Sequence, residues 1–106
     1  LNTWNKPAYA CLASRFVYGE EITREKISMI DRAEQFLIER GFYKERVRIH
    51  GDLARIEVMP DDIPRIASDE MRTAIYSEFT KIGFNFVTLD LHGYRMGSMN
   101  TTIEKK

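Results

Sequence analysis

The chain has 106 residues, a mass of 12.4 kDa and 43% hydrophobic residues, enough for one modest core and too short for two ordinary domains. Sixteen Lys and Arg against sixteen Asp and Glu leave a formal net charge of zero, so composition points to neither a nucleic-acid nor a membrane-surface partner. One cysteine, Cys11, excludes an internal disulfide framework. No apolar run approaches the roughly 18 residues of a membrane span and no secretory leader is visible, so the expectation is a soluble protein of a reducing cytoplasm.

Residues 1 to 20 hold Trp4, Pro7, Cys11 and Gly19 without a sustained period, and the chain starts at Leu1. The expectation is the interior of a longer protein. From Ile22 the pattern sharpens: Thr23 can cap a helix, and Ile27, Ile30, Leu37 and Ile38 recur on one side of it. Gly41 supplies the stop and Phe42 folds back on the last turn, which predicts a helix over Arg24 to Arg40. The period then changes to two. Val47 and Ile49 alternate with Arg46, Arg48 and His50, a Gly51-Asp52 break follows, and Ala54, Ile56 and Val58 continue the alternation, as in a hairpin with a type II′ turn. After Pro60 comes an acidic connector, then Ser68 as a cap and Met71, Ile75, Phe79 and Ile82 at helical spacing, closed by Gly83 and Phe84. Val87, Leu89 and Leu91 predict a third strand.

Two dipeptides recur at one offset of 42 residues: Gly41-Phe42 with Gly83-Phe84, and His50-Gly51 with His92-Gly93. Each half reads helix, Gly-Phe, strand, His-Gly, an αβ unit used twice. The order α-β-β-α-β predicts a small α+β sandwich, close to ferredoxin-like, with both helices on one face of a mostly antiparallel sheet. Residues 14 to 18 are a candidate edge strand.

The two-residue turn sets the hairpin register, so Arg48 faces Arg55 and Arg46 faces Glu57. Val47, Ile49, Ala54, Ile56 and Val58 share the apolar face. Opposed like charges are unfavourable, and an anion between them reverses the sign. Arg46, Arg48 and Arg55, with Arg15 or Arg95 nearby, therefore make a candidate anion cluster, the alternative being a solvated face on which Arg46 pairs with Glu57. Glu34 falls inside the apolar arc of the first helix; buried, it needs an arginine partner, and at the margin its head reaches water. The segment His92 to Ser98 places two glycines around Arg95 but matches neither phosphate-loop fingerprint, and a plain turn fits it as well. His50 and His92, near Asp52 and Asp90, lack metal-ligand spacing. Cys11 reads as a small buried hydrophobe or, with Lys6 and Arg15 close in sequence, as a thiolate.

Three blocks, KPAYACLASRFVYGEEIT (6–23), RVRIHGDLARIEV (46–58) and LDLHGYRMGSMN (89–100), resemble the C-terminal part of the ATP-dependent sacrificial sulfur transferases, which help make the nickel-pincer nucleotide of lactate racemase. The resemblance covers nearly all the chain in family order. It implies an enzyme of the PP-loop superfamily whose N-terminal half, absent here along with its Ser-Gly-Gly-x-Asp-Ser loop, binds ATP and Mg2+ and adenylates a carboxylate of a pyridinium dicarboxylate mononucleotide. Cys11 of the Cys-Leu-Ala-Ser-Arg motif would then form a thioester and give up its sulfur, becoming dehydroalanine. By the same resemblance residues 1–20 are an inter-domain segment with the donor cysteine, and 21–106 a C-terminal α+β domain. Ser14 and Arg15 would line the pocket, Arg46 and Arg48 hold the phosphate, Glu34 and Glu57 orient those arginines, and Arg95 add an anion contact. No metal or cofactor is expected on this stretch itself, which alone should be inactive.

The family's Arg-Ile-Pro-Tyr-Gly reads Arg15-Phe16-Val17-Tyr18-Gly19 here and lacks the proline. The implied partners are the mononucleotide, the chain's own N-terminal domain and further copies of itself, with no membrane and no nucleic acid. A competing reading is a nucleotide-binding or oligomerisation module of another PP-loop enzyme, of the tRNA thiolation or amidation type.

Overall fold

The structure is a computed structural model and describes residues 15, 16 and 19–94. Cys11, Ser14 and Arg95 lie outside the described residues, as does most of the candidate edge strand.

Helix α1 (Arg24–Glu39) begins where the sequence predicts: Thr23 accepts a hydrogen bond from the Lys26 amide at 3.1 Å. Ile30, Ala33 and Leu37 are buried, while Ile38, at the margin of the stripe, is 36% exposed. Strands β1 (Glu45–His50) and β2 (Leu53–Val58) form the hairpin, in the predicted register from His50 opposite Leu53 to Arg46 opposite Glu57. Gly51 has φ +61° and no non-glycine residue among the described residues has a positive φ, as a type II′ turn with glycine first requires. A 3-10 turn (Pro60–Asp62) and a single turn α2 (Ile63–Ile66) lead to α3 (Asp69–Ile82), capped by Ser68, which accepts from the Met71 amide. Strand β3 (Phe86–Leu89) follows.

The two long helices end alike. Phe42 N–H donates to Leu37 C=O at 3.0 Å and Phe84 N–H to Phe79 C=O at 3.1 Å, each a bond across the terminal glycine. Both phenylalanines are buried, so the repeated Gly-Phe is one closure used twice to turn the chain back over the core. Arg65 supports the first closure, donating to the carbonyls of Arg40 and Gly41 with its guanidinium 3.8 Å from the Phe42 ring.

The sheet has the order β1-β2-β3. β1 and β2 pair antiparallel, but β2 and β3 pair parallel, with Leu53 beside Phe86 and Ile56 beside Leu89. The sheet is thus mixed and not mostly antiparallel. The chain leaves β2, crosses over through the helices and returns along β2 in the same direction, as a helical connection between parallel neighbours permits. Helix residues Leu37, Ile75 and Phe79 and strand residues Val47, Ile49, Ala54, Ile56 and Val58 fuse into one core, so a small α+β layer arrangement holds.

Candidate anion site on the sheet

Alternation along the strands sends Glu45, Val47 and Ile49 toward the helices and Arg46, Arg48 and His50 to the opposite face, where Arg55 and Glu57 of β2 join them. Of the sequence-derived cluster Arg48 and Arg55 come together, and the anion between them is a residue of the chain. Glu57, 7% exposed, accepts from Arg48 Nε at 2.7 Å, and the same oxygen lies 3.7 Å from Arg55 Nη2. Arg55 Nε also lies 3.7 Å from an Asp90 oxygen, too long for a hydrogen bond. Glu57 therefore serves Arg48 and Arg55, not Arg46 as its register partner suggests.

Arg46 stands apart. Its Nε is buried without a hydrogen-bond partner among the described residues, and its guanidinium carbon lies 5.3 Å from the centroid of the Tyr94 ring. Tyr94 is placed by the His92-Gly93 turn, with the Gly93 amide bonded to Asp90 C=O and the Tyr94 amide to Val58 C=O. That part of the tail motif is a turn that sets an aromatic ring over an arginine.

The first-helix carboxylate has the predicted kind of partner. Arg15 Nε and Nη2 grip the two oxygens of Glu34 at 2.8 and 3.0 Å, and Glu34 Oε2 also accepts from the Val47 amide at 2.9 Å. Glu34 orients Arg15, not Arg46 or Arg48. The outer edge of β1 is sealed by the same device three times: Val47 N–H donates to Glu34, Ile49 N–H to Arg15 C=O at 2.9 Å beside a one-residue bridge to Phe16, and Gly51 N–H to Glu20 Oε1 at 2.9 Å. The second Glu20 oxygen bonds Lys26 Nζ, and this bond is the main cause holding the carboxyl below its usual range. An otherwise open strand edge is thus covered by the segment that follows Cys11.

His50 is held below its ordinary value by burial first and by Arg55 next, and its Nε2 is buried without a hydrogen-bond partner among the described residues. Among the described residues no three His, Cys, Asp or Glu side chains converge as metal ligands. Sequence reasoning missed Glu45, which is 8% exposed with Oε1 unpartnered among the described residues. The signal was present, because Glu45 continues the Val47, Ile49 alternation onto the core side. Burial and then the Glu34 carboxylate push its carboxyl up to about 8, against the pull of Arg15 and Arg46.

No protein-family model matches the chain. It is similar, at 45% identity over 96% of its length, to an uncharacterized protein of Synechocystis sp., and at 35% over 90% to an uncharacterized protein of Methanocaldococcus jannaschii. The chain spans between 36% and 38% of the length of the curated relatives it matches. Over 99% of its length, at 40% identity, it is a homologue of the pyridinium-3,5-bisthiocarboxylic acid mononucleotide synthase of Lactiplantibacillus plantarum.

Proposed function

We propose that this chain is the sulfur-supplying part of an ATP-dependent sulfur transferase that thiolates a pyridinium dicarboxylate mononucleotide in nickel-pincer nucleotide synthesis. The observation that carries the reading is the 40% identity over 99% of the chain with a synthase named for the bisthiocarboxylic product. ATP and Mg2+ bind on an N-terminal PP-loop domain outside these residues, where a substrate carboxylate is adenylated and pyrophosphate leaves. The Cys11 thiolate displaces AMP and forms a thioester. A base then removes the Cα proton of Cys11 and the Cβ–S bond breaks. Its electron pair departs on sulfur, leaving dehydroalanine in the chain and a thiocarboxylate on the product.

The described arginines suit the anionic substrate. Arg46 and Arg48 take the phosphate, Glu57 fixing Arg48 while the Arg46 guanidinium lies beside the Tyr94 ring. Glu34 anchors Arg15, the last residue of the Cys-Leu-Ala-Ser-Arg motif, to α1 and β1. Ser14 lines the pocket and Arg95 adds an anion contact. The enzyme works in the cytoplasm as a homo-oligomer.

The test is the intact mass of the full-length protein before and after incubation with ATP, Mg2+ and the mononucleotide. A loss of about 34 Da mapped to Cys11 is the expected signature of cysteine becoming dehydroalanine. Unchanged mass with thiolated product replaces the sacrificial step with a persulfide or cluster relay. Unchanged mass without product leaves a nucleotide-positioning module.

A further inference from the structure

Glu45 is a buried ionisable group that the sulfur-transfer reading does not use. It opens β1 on the core side, and the charged groups facing it come from three elements: Glu34 on α1, Arg15 before α1, and Arg46 in β1. Of the two carboxyls, Glu34 holds the partners, with two bonds from Arg15 and one from the Val47 amide, while Glu45 Oε1 has none among the described residues. A second carboxylate here would be desolvated without a counterion of its own and would compete for the guanidinium that Glu34 grips. A proton on Glu45 removes the competition. Adjacent carboxyls in opposite surroundings are how one fold keeps one ionised and the other neutral.

We propose that Glu45 is a positioning residue: its neutral carboxyl leaves Glu34 as the anion bound by Arg15, and its ionisation loosens that clasp on the segment that carries Cys11. The catalytic consequence rests on the sulfur-transfer reading; the clasp does not. Arg15 follows Cys11 by four residues, so the clasp acts close in sequence to the cysteine. Because burial and Glu34 raise the Glu45 carboxyl to about 8, the clasp is closed at neutral pH and opens as the solution becomes alkaline.

The experiment compares the full-length parent with Glu45→Gln, neutral at every pH, and with Glu45→Met as a second neutral variant should the amide fold poorly. Between about pH 6.5 and 9.5 each is treated with phenylglyoxal, and modification of Arg15 is read by peptide mass against exposed Arg72 in the same molecule, which cancels the reagent's own pH dependence. In the parent the Arg15 to Arg72 ratio should rise about five-fold or more across the range, and in the neutral variants it should stay flat. A flat parent, or the same rise in the variants, overturns the proposal. In parallel, the single-turnover rate of 34 Da mass loss should fall on the alkaline side in the parent and not in the variants; a shared alkaline fall overturns the catalytic half. Absence of any mass loss in the parent refutes the sacrificial step of the sulfur-transfer reading, while the Arg15 ratio still decides the case of Glu45.

Discussion

Arg48 and Arg55 stand opposite each other across the hairpin and share one carboxylate oxygen of Glu57, at 2.7 Å from Arg48 Nε and 3.7 Å from Arg55 Nη2. The repulsion expected from this register is answered from inside the chain. Glu57→Ala should therefore cost about 2–4 kcal/mol in urea unfolding, because it removes the carboxylate that two facing guanidinium groups share. Glu57→Gln, which keeps the shape but not the charge, should fall between. Added phosphate should recover more stability in the alanine variant than in the parent; equal response in both would mean that the facing arginines do not gather an outside anion.

Glu34 satisfies three donors on two elements, so its loss should be felt twice. Glu34→Ala should destabilise the chain by about 2–3 kcal/mol by orphaning the buried Val47 amide and removing the carboxylate that Arg15 grips. In the full-length protein it should also suppress the 34 Da mass loss at temperatures where the variant remains folded. A folded Glu34→Ala that transfers sulfur at the parental rate would separate the clasp from the chemistry.

Gly93 has φ +93°, and a Cβ there would lie 2.9 Å from Val58 O and 3.3 Å from Pro60 Cγ. Gly93→Ala should cost about 2 kcal/mol or more, combining backbone strain with a clash against main chain that cannot yield. Gly51→Ala, with open space at its Cβ, should cost only about 1 kcal/mol. The comparison separates conformational strain from crowding, and only the Gly93 variant should disturb the Tyr94 ring over Arg46.

Glu45 gives stability a distinct pH dependence. With a folded value of about 8 against 4.5 for the free group, the folded chain holds the extra proton between those limits. Its contribution is fully present below 4.5, is lost as pH rises toward 8, and changes by at most about 1.4 kcal/mol per unit within that window. Glu45→Gln should remove this decline, so the parent and variant curves should separate with increasing pH and run parallel above about 8. Parallel curves throughout would show that Glu45 titrates normally.

Much of this was legible in the sequence because local rules dominate there. Helix ends followed from Thr23, Ser68 and the two Gly-Phe pairs, and the hairpin register from Gly51-Asp52, each decided by neighbours a few residues away. The parallel docking of β3 was not legible, since it depends on which side of β2 a returning strand settles. Nor was the choice of counterion. Register puts Glu57 opposite Arg46, whereas side-chain reach delivers it to Arg48 and Arg55; Glu34 likewise meets Arg15, not the strand arginines. The burial of Glu45 was readable from its parity with Val47 and Ile49, although carboxylates are seldom buried without a partner.

The mixed sheet gives the central strand two very different neighbours in time. Residues 50 and 53, which open the β1-β2 ladder, are three apart in sequence, while residues 53 and 86, which open the β2-β3 ladder, are 33 apart. Closing the longer loop costs about 2 kcal/mol more chain entropy, so the hairpin can form early and β3 must wait for the helices that carry it back. Amides of β3 should accordingly exchange with solvent before those of the hairpin, making the far edge of the sheet the first part of the molecule to open and the last to close.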